Sequence, residues 1–175
     1  MDDPTLVGRA RDGDLPAFEA LMRRYQGRIY RLALRMTADA GDAEEVTQDV
    51  FLSAWRRLPE IREDAAFSGW LYRTATNRCL NLLRRRRPTS ELDDQVPNQV
   101  EADPQRATQS SAQLEALVAA LQHLTPEQRA VWLLREAHHR SYEEIAQVVG
   151  TTPQAVRGRL SRARAQLAEL ISPWR

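Results

Sequence analysis

Apolar residues recur every three or four positions through most of this chain, and that spacing is the feature that most restricts its fold. The clearest run would line one face of a single helix and comprises Phe18, Leu21, Met22, Tyr25, Ile29, Leu32 and Met36. The chain has only seven glycines, and no segment shows the sustained period-two alternation that is typical of strands. The pattern therefore predicts an all-α protein.

Capping residues predict where the first helices begin and end. Asp14 is suited to cap a helix that carries Pro16 in its first turn. Asp42 and Glu45 form a box-like start for a second helix. Pro59 should end that helix, because the residue before a proline is pushed out of helical geometry.

Three more helices are predicted further along the chain. One runs from about Phe67 into an arginine run that stops at Pro88, and one covers residues 114–124. The third begins at Thr125, which can cap it together with Gln128.

The composition changes abruptly between residues 89 and 111. This stretch is rich in Asp, Glu, Gln, Ser, Thr and Pro and poor in large apolar side chains, which is typical of a linker. It predicts two small helical domains, residues 1–88 and 113–175, joined by a flexible acidic linker at 89–112.

A helix-turn-helix is predicted in the second domain. Ser141 and Glu144 form a capping box for its first helix, which Gly150 ends. Thr152 caps the next helix, and Pro153 lies in its first turn. Two helices crossing through so tight a turn are typical of DNA-binding domains.

The second of these helices has a face suited to duplex DNA. Its apolar stripe comprises Val156, Leu160, Ala163, Leu167 and Leu170. The opposite face comprises Gln154, Arg157, Gly158, Arg159, Ser161, Arg162 and Arg164. Arginines can contact base edges and phosphates, and Arg162, at the middle of the face, is the leading base reader. A solvated charged face is the alternative, but no acid follows these arginines until Glu169.

The helix from Phe67 carries a different chemistry. One side of it holds Trp70, Arg73, Asn77, Asn81 and Arg84. An aromatic ring, amides and guanidinium groups on one strip suit unpaired bases, and packing of Trp70 against a neighbouring helix is the alternative. The four adjacent arginines at 84–87 cannot pair locally, which suggests a polyanionic partner. Cys79 falls on the opposite, buried stripe, where we expect a core thiol.

A third surface is predicted on the helix that begins near Asp42. Its outward side groups Glu45, Gln48, Asp49, Leu52 and Arg56. An exposed leucine surrounded by charged side chains suits protein docking. The residues alone leave open a solvated face with one stray leucine.

Five motifs in fixed order resemble the extracytoplasmic-function group of bacterial RNA polymerase sigma factors. They are AFEALMRRYQGRIYRLALRM, DAEEVTQDVFLSAWRRL, FSGWLYRTATNRCLNLLRR, LTPEQRAVWLLRE and SYEEIAQVVGTTPQAVRGRLSRARAQL. The resemblance covers nearly the whole chain. It implies a subunit without enzymatic activity whose first domain captures the melted minus-ten element and whose second reads the duplex minus-thirty-five element. The implied partners are core RNA polymerase, through the clamp of its largest subunit and the flap of the second, promoter DNA and an anti-sigma factor.

The resemblance also implies roles for particular residues. The segment with Gln48, Asp49, Leu52 and Arg56 resembles the part of the family that grips the polymerase clamp. Asn77 and the loop at residues 58–68 resemble its minus-ten recognition elements. The positions that resemble its minus-thirty-five readers are Arg157, Gly158, Ser161 and Arg162, and Gly158 departs from the serine common there. A helix-turn-helix regulator that acts without polymerase is the alternative, but it leaves the Trp70 strip unused.

Composition argues against other classes of protein. The single cysteine excludes an intramolecular disulfide framework, and no apolar run approaches the roughly 20 residues of a membrane span. The acidic start is unlike a signal peptide, so we expect a cytoplasmic protein. His123, His138 and His139 lack the spacing of metal ligands, so we expect no metal, no other cofactor and no enzymatic activity.

Overall fold

The computed structural model describes residues 1–86 and 109–171, and the regular structure within these ranges is helical, without strands. The α-helices there are α1 (Asp3–Arg11), α2 (Leu15–Thr37), α3 (Ala40–Arg57), α4 (Phe67–Arg85), α5 (Gln109–Leu121), α6 (Pro126–Trp132), α7 (Tyr142–Val149) and α8 (Pro153–Ile171). Two 3₁₀ turns, Leu58–Glu60 and Asp64–Ala66, connect α3 to α4, and a π-helical turn, Leu133–Ala137, follows α6. The all-α prediction is confirmed.

Helix α2 is the centre of the first half and packs against α1, α3 and α4. The predicted cap is confirmed, because the Asp14 carboxylate accepts a hydrogen bond from the Ala17 N–H at 3.3 Å. The predicted stripe is buried except for Met22, which is half-buried. Full burial of each large apolar side chain contributes about 1.5–3 kcal/mol, so this stripe holds the neighbouring helices against α2.

Helix α1 is an element that the apolar spacing does not reveal, because it has only nine residues. Asp2 caps it by accepting a hydrogen bond from the Thr5 N–H at 2.9 Å. Its buried residues, Leu6, Val7 and Ala10, pack against α2.

The start of α3 differs from the prediction. Asp39, not Asp42, caps this helix, and its carboxylate accepts from the Asp42 N–H at 2.9 Å. Asp42 lies within the first turn, is buried, and forms an ion pair with Arg86 at the far end of α4. Because Arg86 is 44 residues away, the local sequence around Asp42 does not reveal this ion pair. The predicted end is confirmed, since α3 stops before Leu58 and Pro59.

The second half follows the predicted capping pattern closely. Helix α5 begins at Gln109, five residues before the predicted Leu114, so residues 109–112 of the predicted linker are helical. Thr125 and Gln128 form the expected reciprocal capping box on α6. The domain division at 1–88, 89–112 and 113–175 stays a prediction, and residues 89–108 of the linker lie outside the described ranges.

The predicted helix-turn-helix is formed by α7 and α8. Ser141 caps α7 through the Glu144 N–H at 3.1 Å, while the Glu144 side chain turns to Arg140 instead of completing the box. Gly150 ends α7 with a positive φ of 72°, a conformation that glycine adopts without strain. Thr152 then caps α8 by accepting from the Ala155 N–H at 3.1 Å.

The two halves pack against each other in one continuous apolar core, with α4 lying against α6 and α7. Donors from the second half cap the last carbonyls of α2: the Gln122 amide donates to the Arg35 carbonyl at 3.0 Å, and Arg129 donates to that of Met36. Arg129 is only 5% exposed and also donates to the Leu121 carbonyl at 2.9 Å. Burial lowers its pKa to about 10. The structure therefore shows a closed arrangement of the two halves.

Candidate nucleic-acid and protein interfaces

The outward side of α8, called the α8 face below, carries the residues predicted to read duplex DNA. The inner stripe of this helix is confirmed, because Val156, Leu160, Ala163 and Leu167 are buried. On the opposite side the structure leaves most of the predicted readers exposed: Gln154, Arg157, Ser161, Arg162 and Arg164. Gly158 and Arg159, the remaining members of the face, are partly buried. The fold thus presents a basic helical surface of the width that a major groove admits.

Arg164 is already paired, contrary to the sequence argument. Its Nε donates to the Glu136 carboxylate at 2.9 Å, and this hydrogen bond raises the pKa of Arg164. As the sequence indicates, α8 has no acidic residue before Glu169. The partner of Arg164 is instead Glu136, which lies in the π-helical turn 28 residues earlier. An exposed ion pair contributes only about 0–1 kcal/mol, so a phosphate can compete with Glu136 for Arg164.

Arg162 has no hydrogen-bond or ion-pair partner among the residues that the structure describes. The guanidinium of Arg162 extends back along α8 and lies beside Gly158. If residue 158 had a Cβ atom, that atom would be 3.5 Å from Nη1 of Arg162. Arg157 is more engaged, since its guanidinium carbon lies 5.4 Å from the centre of the Tyr142 ring on α7. Arg162 is therefore available to a base without giving up an existing interaction.

The predicted strip on α4, called the α4 strip, is formed by Trp70, Arg73, Asn77, Asn81 and Arg84. The last four are exposed, whereas Trp70 is half-buried and packs against the apolar core. The indole thus packs in part against the core, and a stacking role for its accessible portion stays a prediction. Arg73 lines a cavity of about 200 Å³ together with Glu144 and Gln147 of α7. The strip therefore borders the second half of the chain.

The arginine run at the end of α4 pairs more than the sequence suggests. Arg86 forms an ion pair with Asp42, and the same hydrogen bond raises the pKa of Arg86. Arg84 lies 3.9 Å from the Glu127 carboxylate on α6, and it donates to the Asn81 amide oxygen at 3.4 Å. Both carboxylates come from other helices, so the lack of a local acidic partner did not leave these two arginines unpaired.

The outward side of α3, called the α3 face, is formed by Glu45, Gln48, Asp49, Leu52 and Arg56. All are exposed except Asp49, which is half-buried and lies 3.5 Å from Arg78 of α4. Leu52 is 55% exposed. Trp55, which sequence reasoning missed, is 40% exposed one turn further on, although its ring also packs edge-on against Phe18. Its spacing of three from Leu52 is the signal that could have identified it.

Cys79 and the candidate metal ligands of the described ranges are the remaining chemical groups to place. Cys79 is buried as predicted, and burial raises the pKa of its thiol to about 12. Such a thiol remains protonated and unreactive at neutral pH. Within residues 1–86 and 109–171, no group of histidine, cysteine and acidic side chains could hold a metal ion. None of the helices described is both long enough and apolar enough to cross a membrane.

Two parts of the chain match known protein families. Residues 21–89 match the family described as Sigma-70 region 2, which includes the α3 face and the α4 strip. Residues 114–167 match the family described as Sigma-70, region 4, which includes α7 and most of α8. The surfaces described above thus fall within two matched regions on either side of the predicted linker.

Similar proteins extend these matches to nearly the full chain. The ECF RNA polymerase sigma factor SigM of Mycobacterium tuberculosis is 36% identical over 174 residues, covering 97% of this chain and 84% of that protein. The RNA polymerase sigma-H factor of Pseudomonas aeruginosa is 36% identical over 183 residues, covering 98% and 94%. Among solved structures, CnrH in complex with the cytosolic domain of CnrY superposes with a TM-score of 0.76 at 29% identity, covering 98% of this chain and 97% of CnrH.

Proposed function

This chain belongs to the extracytoplasmic-function family of RNA polymerase sigma factors, and from that premise we propose how its own surfaces divide the work of promoter recognition. Its general function is to direct transcription initiation. The observation that carries the proposal is that one chain presents the α8 face and the α4 strip on separate helices with different chemistry. One suits paired bases in a groove, and the other suits bases that have left the duplex.

The α8 face would read the minus-thirty-five element as duplex DNA. Thr152 and Pro153 fix the start of α8, so the first turns of the helix, with Gln154 and Arg157, project from the domain. The N-terminal part of such a helix enters the major groove, where a bidentate arginine contact to guanine gives about 1–3 kcal/mol of discrimination. We assign that role to Arg162, which has no partner in the part of the chain that the structure describes, and a phosphate contact to Arg164, whose present partner is Glu136.

The α4 strip would capture the melted minus-ten element. Asn77 and Asn81 lie one turn apart on the exposed side of α4, where their amides can bond to base edges. The accessible part of Trp70 offers a stacking surface, and Arg73 supplies a positive charge for the backbone. The segment at residues 58–68, whose last two residues begin α4, belongs to the same proposed site.

The α3 face would bind core polymerase. Its exposed apolar centre, formed by Leu52 and Trp55, is surrounded by the charged and polar groups of Gln48, Asp49 and Arg56. An apolar anchor within a polar rim is the usual anatomy of a protein interface. By resemblance to the family, the partner surface is the clamp of the largest polymerase subunit. The flap of the second subunit is assigned to the second domain on the same ground.

The two halves must separate for both promoter elements to be read at once. A compact chain of 175 residues has a radius of gyration of about 16 Å, hence a diameter of about 40 Å. The positions that name the two elements, minus thirty-five and minus ten, differ by about 25 base pairs, which is about 85 Å at 3.4 Å per base pair. Contacts across the closed arrangement, such as Gln122 with the Arg35 carbonyl, would therefore break when polymerase binds.

The other proposed properties follow from the family. We propose that the chain has no enzymatic activity of its own and acts in the cytoplasm, where polymerase acts. An anti-sigma factor is a further proposed partner, because CnrH was solved in complex with a second protein. A helix-turn-helix regulator that acts without polymerase is a poorer account, since the matched families include the α3 face.

Run-off transcription tests the proposal directly. The purified chain is added to core polymerase with a library of promoter templates, and specific transcripts should appear only when both are present. Leu52→Ala should reduce these transcripts, while a gel-shift assay shows unchanged binding to short minus-thirty-five duplexes. Transcripts that are absent at any promoter, or equally strong without the chain, would contradict the proposed function.

A further inference from the structure

A basic cavity lies between the two halves, and its described lining residues belong to none of the three surfaces above. It has a volume of about 380 Å³ and lies between α2, Tyr72 of α4 and the segment that follows the π-helical turn. Its lining consists of Arg28, Arg31, Arg35, Tyr72, Ala137, His138, His139 and Arg140. The described residues of the lining therefore include four arginines and two histidines but no carboxylate.

Three of these arginines lack an acidic partner within residues 1–86 and 109–171. Arg28, Arg31 and Arg35 form no ion pair with any residue that the structure describes. They follow one another at intervals of three and four, so they share one side of α2 and repel each other. Arg140 is partly engaged, since it lies 3.4 Å from the Glu144 carboxylate and 4.4 Å from the centre of the Tyr72 ring. Among the described residues, the three α2 arginines thus bring positive charge to the cavity without an acid that pairs with them.

The remaining polar groups of the cavity also favour an anion. The Nδ1 of His138 lies 3.2 Å from the Tyr72 hydroxyl, whereas its buried Nε2 has no hydrogen-bond partner among the described residues. Burial, reinforced by the charges of Arg35, Arg140, Arg31 and Arg28, lowers the pKa of His138 to about 4. A neutral imidazole that accepts from Tyr72 at Nδ1 carries its proton at Nε2, where it is an unused donor. Tyr72 and a neutral His138 thus add no negative charge that would repel an anion from the arginines.

We propose that this cavity binds a small anion that carries two or more phosphate groups. Guanidinium groups match phosphate oxygens with paired, charge-assisted hydrogen bonds, and several phosphates are needed to balance Arg28, Arg31 and Arg35. The volume of about 380 Å³ lies at the lower end of the range for small-molecule sites. Free nucleotides and inorganic polyphosphates share this chemistry.

Such an anion would hold the two halves together. Arg28, Arg31 and Arg35 come from the first half, whereas His138 and Arg140 come from the second, so the complete site exists only in the closed arrangement. A ligand that binds only the closed form shifts the equilibrium toward it by a factor of about 100 at 100 times its Kd. Occupancy of the cavity would therefore oppose the separation that promoter binding requires. This consequence rests on the proposed function, while the binding itself does not.

Calorimetric titration of the full chain with inorganic tripolyphosphate at 150 mM NaCl tests the site. One tripolyphosphate should bind per chain, and the double variant Arg31→Gln with Arg35→Gln should weaken binding at least tenfold. Arg23→Gln is the matched control, because Arg23 is exposed on the same helix but outside the cavity. A second control, Arg157→Gln with Arg162→Gln, removes two arginines from the α8 face. Circular dichroism checks that each variant is folded.

The result that would overturn the proposal is no binding at millimolar tripolyphosphate, or an equal loss in the cavity variant and either control. Equal losses would mean diffuse attraction to a basic protein. ATP in place of tripolyphosphate distinguishes the two sources: tighter binding of ATP indicates a nucleotide, and equal or weaker binding indicates the phosphate chain alone. Sedimentation velocity should show a more compact chain with tripolyphosphate in the wild type but not in the Arg31, Arg35 variant. This binding can be found whether or not the chain supports transcription.

Discussion

The Tyr72 hydroxyl lies 3.2 Å from Nδ1 of His138, a residue 66 positions further along the chain and in the other half of the molecule. Their rings meet edge to face, with centres 5.2 Å apart. Tyr72 is buried in the first half, so His138 can reach this position only when the halves are closed. The pair therefore connects the protonation of one imidazole to the arrangement of the two domains.

We expect the closed arrangement to open as the pH falls. His138 has a pKa of about 4 here against an ordinary value of 6.5, so the closed form holds the neutral imidazole. Below pH 6.5, protonation favours open forms in which the imidazole is exposed. The contribution of the neutral imidazole to the stability of the closed form is therefore complete above pH 6.5 and is lost as the pH falls toward 4. The charged groups that face it and oppose its protonation are Arg28, Arg31, Arg35 and Arg140.

Sedimentation velocity between pH 7.5 and 5 measures this opening as a decrease in sedimentation coefficient. His138→Gln keeps a polar side chain but cannot titrate, so its change over this range should be smaller than that of the wild type. His139→Gln is the matched control, since its ring is exposed and should leave the pH dependence intact. An identical pH profile for His138→Gln and the wild type would show that other groups control the opening.

Much of this fold could be predicted because its signals are local. The Asp14 cap, the Thr125 capping box and the Gly150 stop each depend on atoms within four residues of one another, and each is present. The buried stripes of α2 and α8 are equally local, since they follow from helical spacing alone. The helix-turn-helix and the exposure of the α8 face could therefore be predicted before the structure was known.

The errors arise where a partner comes from a distant part of the chain. Asp39 and Asp42 are equally good caps by residue type, and only the ion pair with Arg86 shows why Asp42 turns away. The pairing of Arg164 with Glu136 and the burial of Arg129 against backbone carbonyls likewise depend on tertiary contacts. Periodicity identifies which face of a helix is exposed but not which charges already have partners.

Asn77→Ala should impair promoter melting while leaving duplex recognition intact. Loss of a side-chain bond to a base edge weakens the bound state by about 1–3 kcal/mol at the affected position. Asn77 is exposed, so its removal should change the stability of the fold little. Permanganate footprinting of open complexes measures the melting, and binding of the isolated minus-thirty-five duplex serves as the control. Normal melting by the variant would exclude Asn77 from the minus-ten site.

Trp70→Ala should also impair melting, but it will lower stability as well. The indole is half-buried against the core, so its truncation removes packing in addition to a stacking surface worth about 1–3 kcal/mol per base. Trp70→Phe separates the two effects, because it keeps most of the packing and an aromatic face. Melting should be largely restored in Trp70→Phe. If Trp70→Ala melts promoters normally at a temperature where it is folded, the indole serves only to pack.

Leu52→Ala should weaken binding to core polymerase by about 1–2 kcal/mol, because it removes the apolar centre of the α3 face. Fluorescence anisotropy of the labelled chain titrated with core polymerase gives the affinity. Leu15→Ala is a close control, since Leu15 is 51% exposed, similar to Leu52 at 55%, but lies at the start of α2. Equal affinities for both variants would place the polymerase contact elsewhere.

Arg162 and Arg164 should differ in how their loss affects DNA sequence preference. Arg162 has no partner among the described residues, so Arg162→Ala should cost about 1–3 kcal/mol at one base pair of the minus-thirty-five element. Arg164→Ala should weaken all sequences alike and reduce the salt dependence by about one counterion, as expected for a phosphate contact. Competition binding across a library of duplex variants measures both effects, and a uniform loss in both variants would remove Arg162 as a base reader.

The pairing with Glu136 adds a sharper test of the same assignment. Glu136→Gln removes the carboxylate that holds Arg164, so this arginine becomes free to contact a phosphate, and a negative charge near the DNA is lost. Affinity for every duplex in the library should therefore rise, with the order of preference unchanged. In the Arg164→Ala background the same substitution should raise affinity less, because only the repulsion from Glu136 is relieved. Equal gains in both backgrounds would show that Glu136 acts on the DNA by charge alone and that Arg164 makes no phosphate contact.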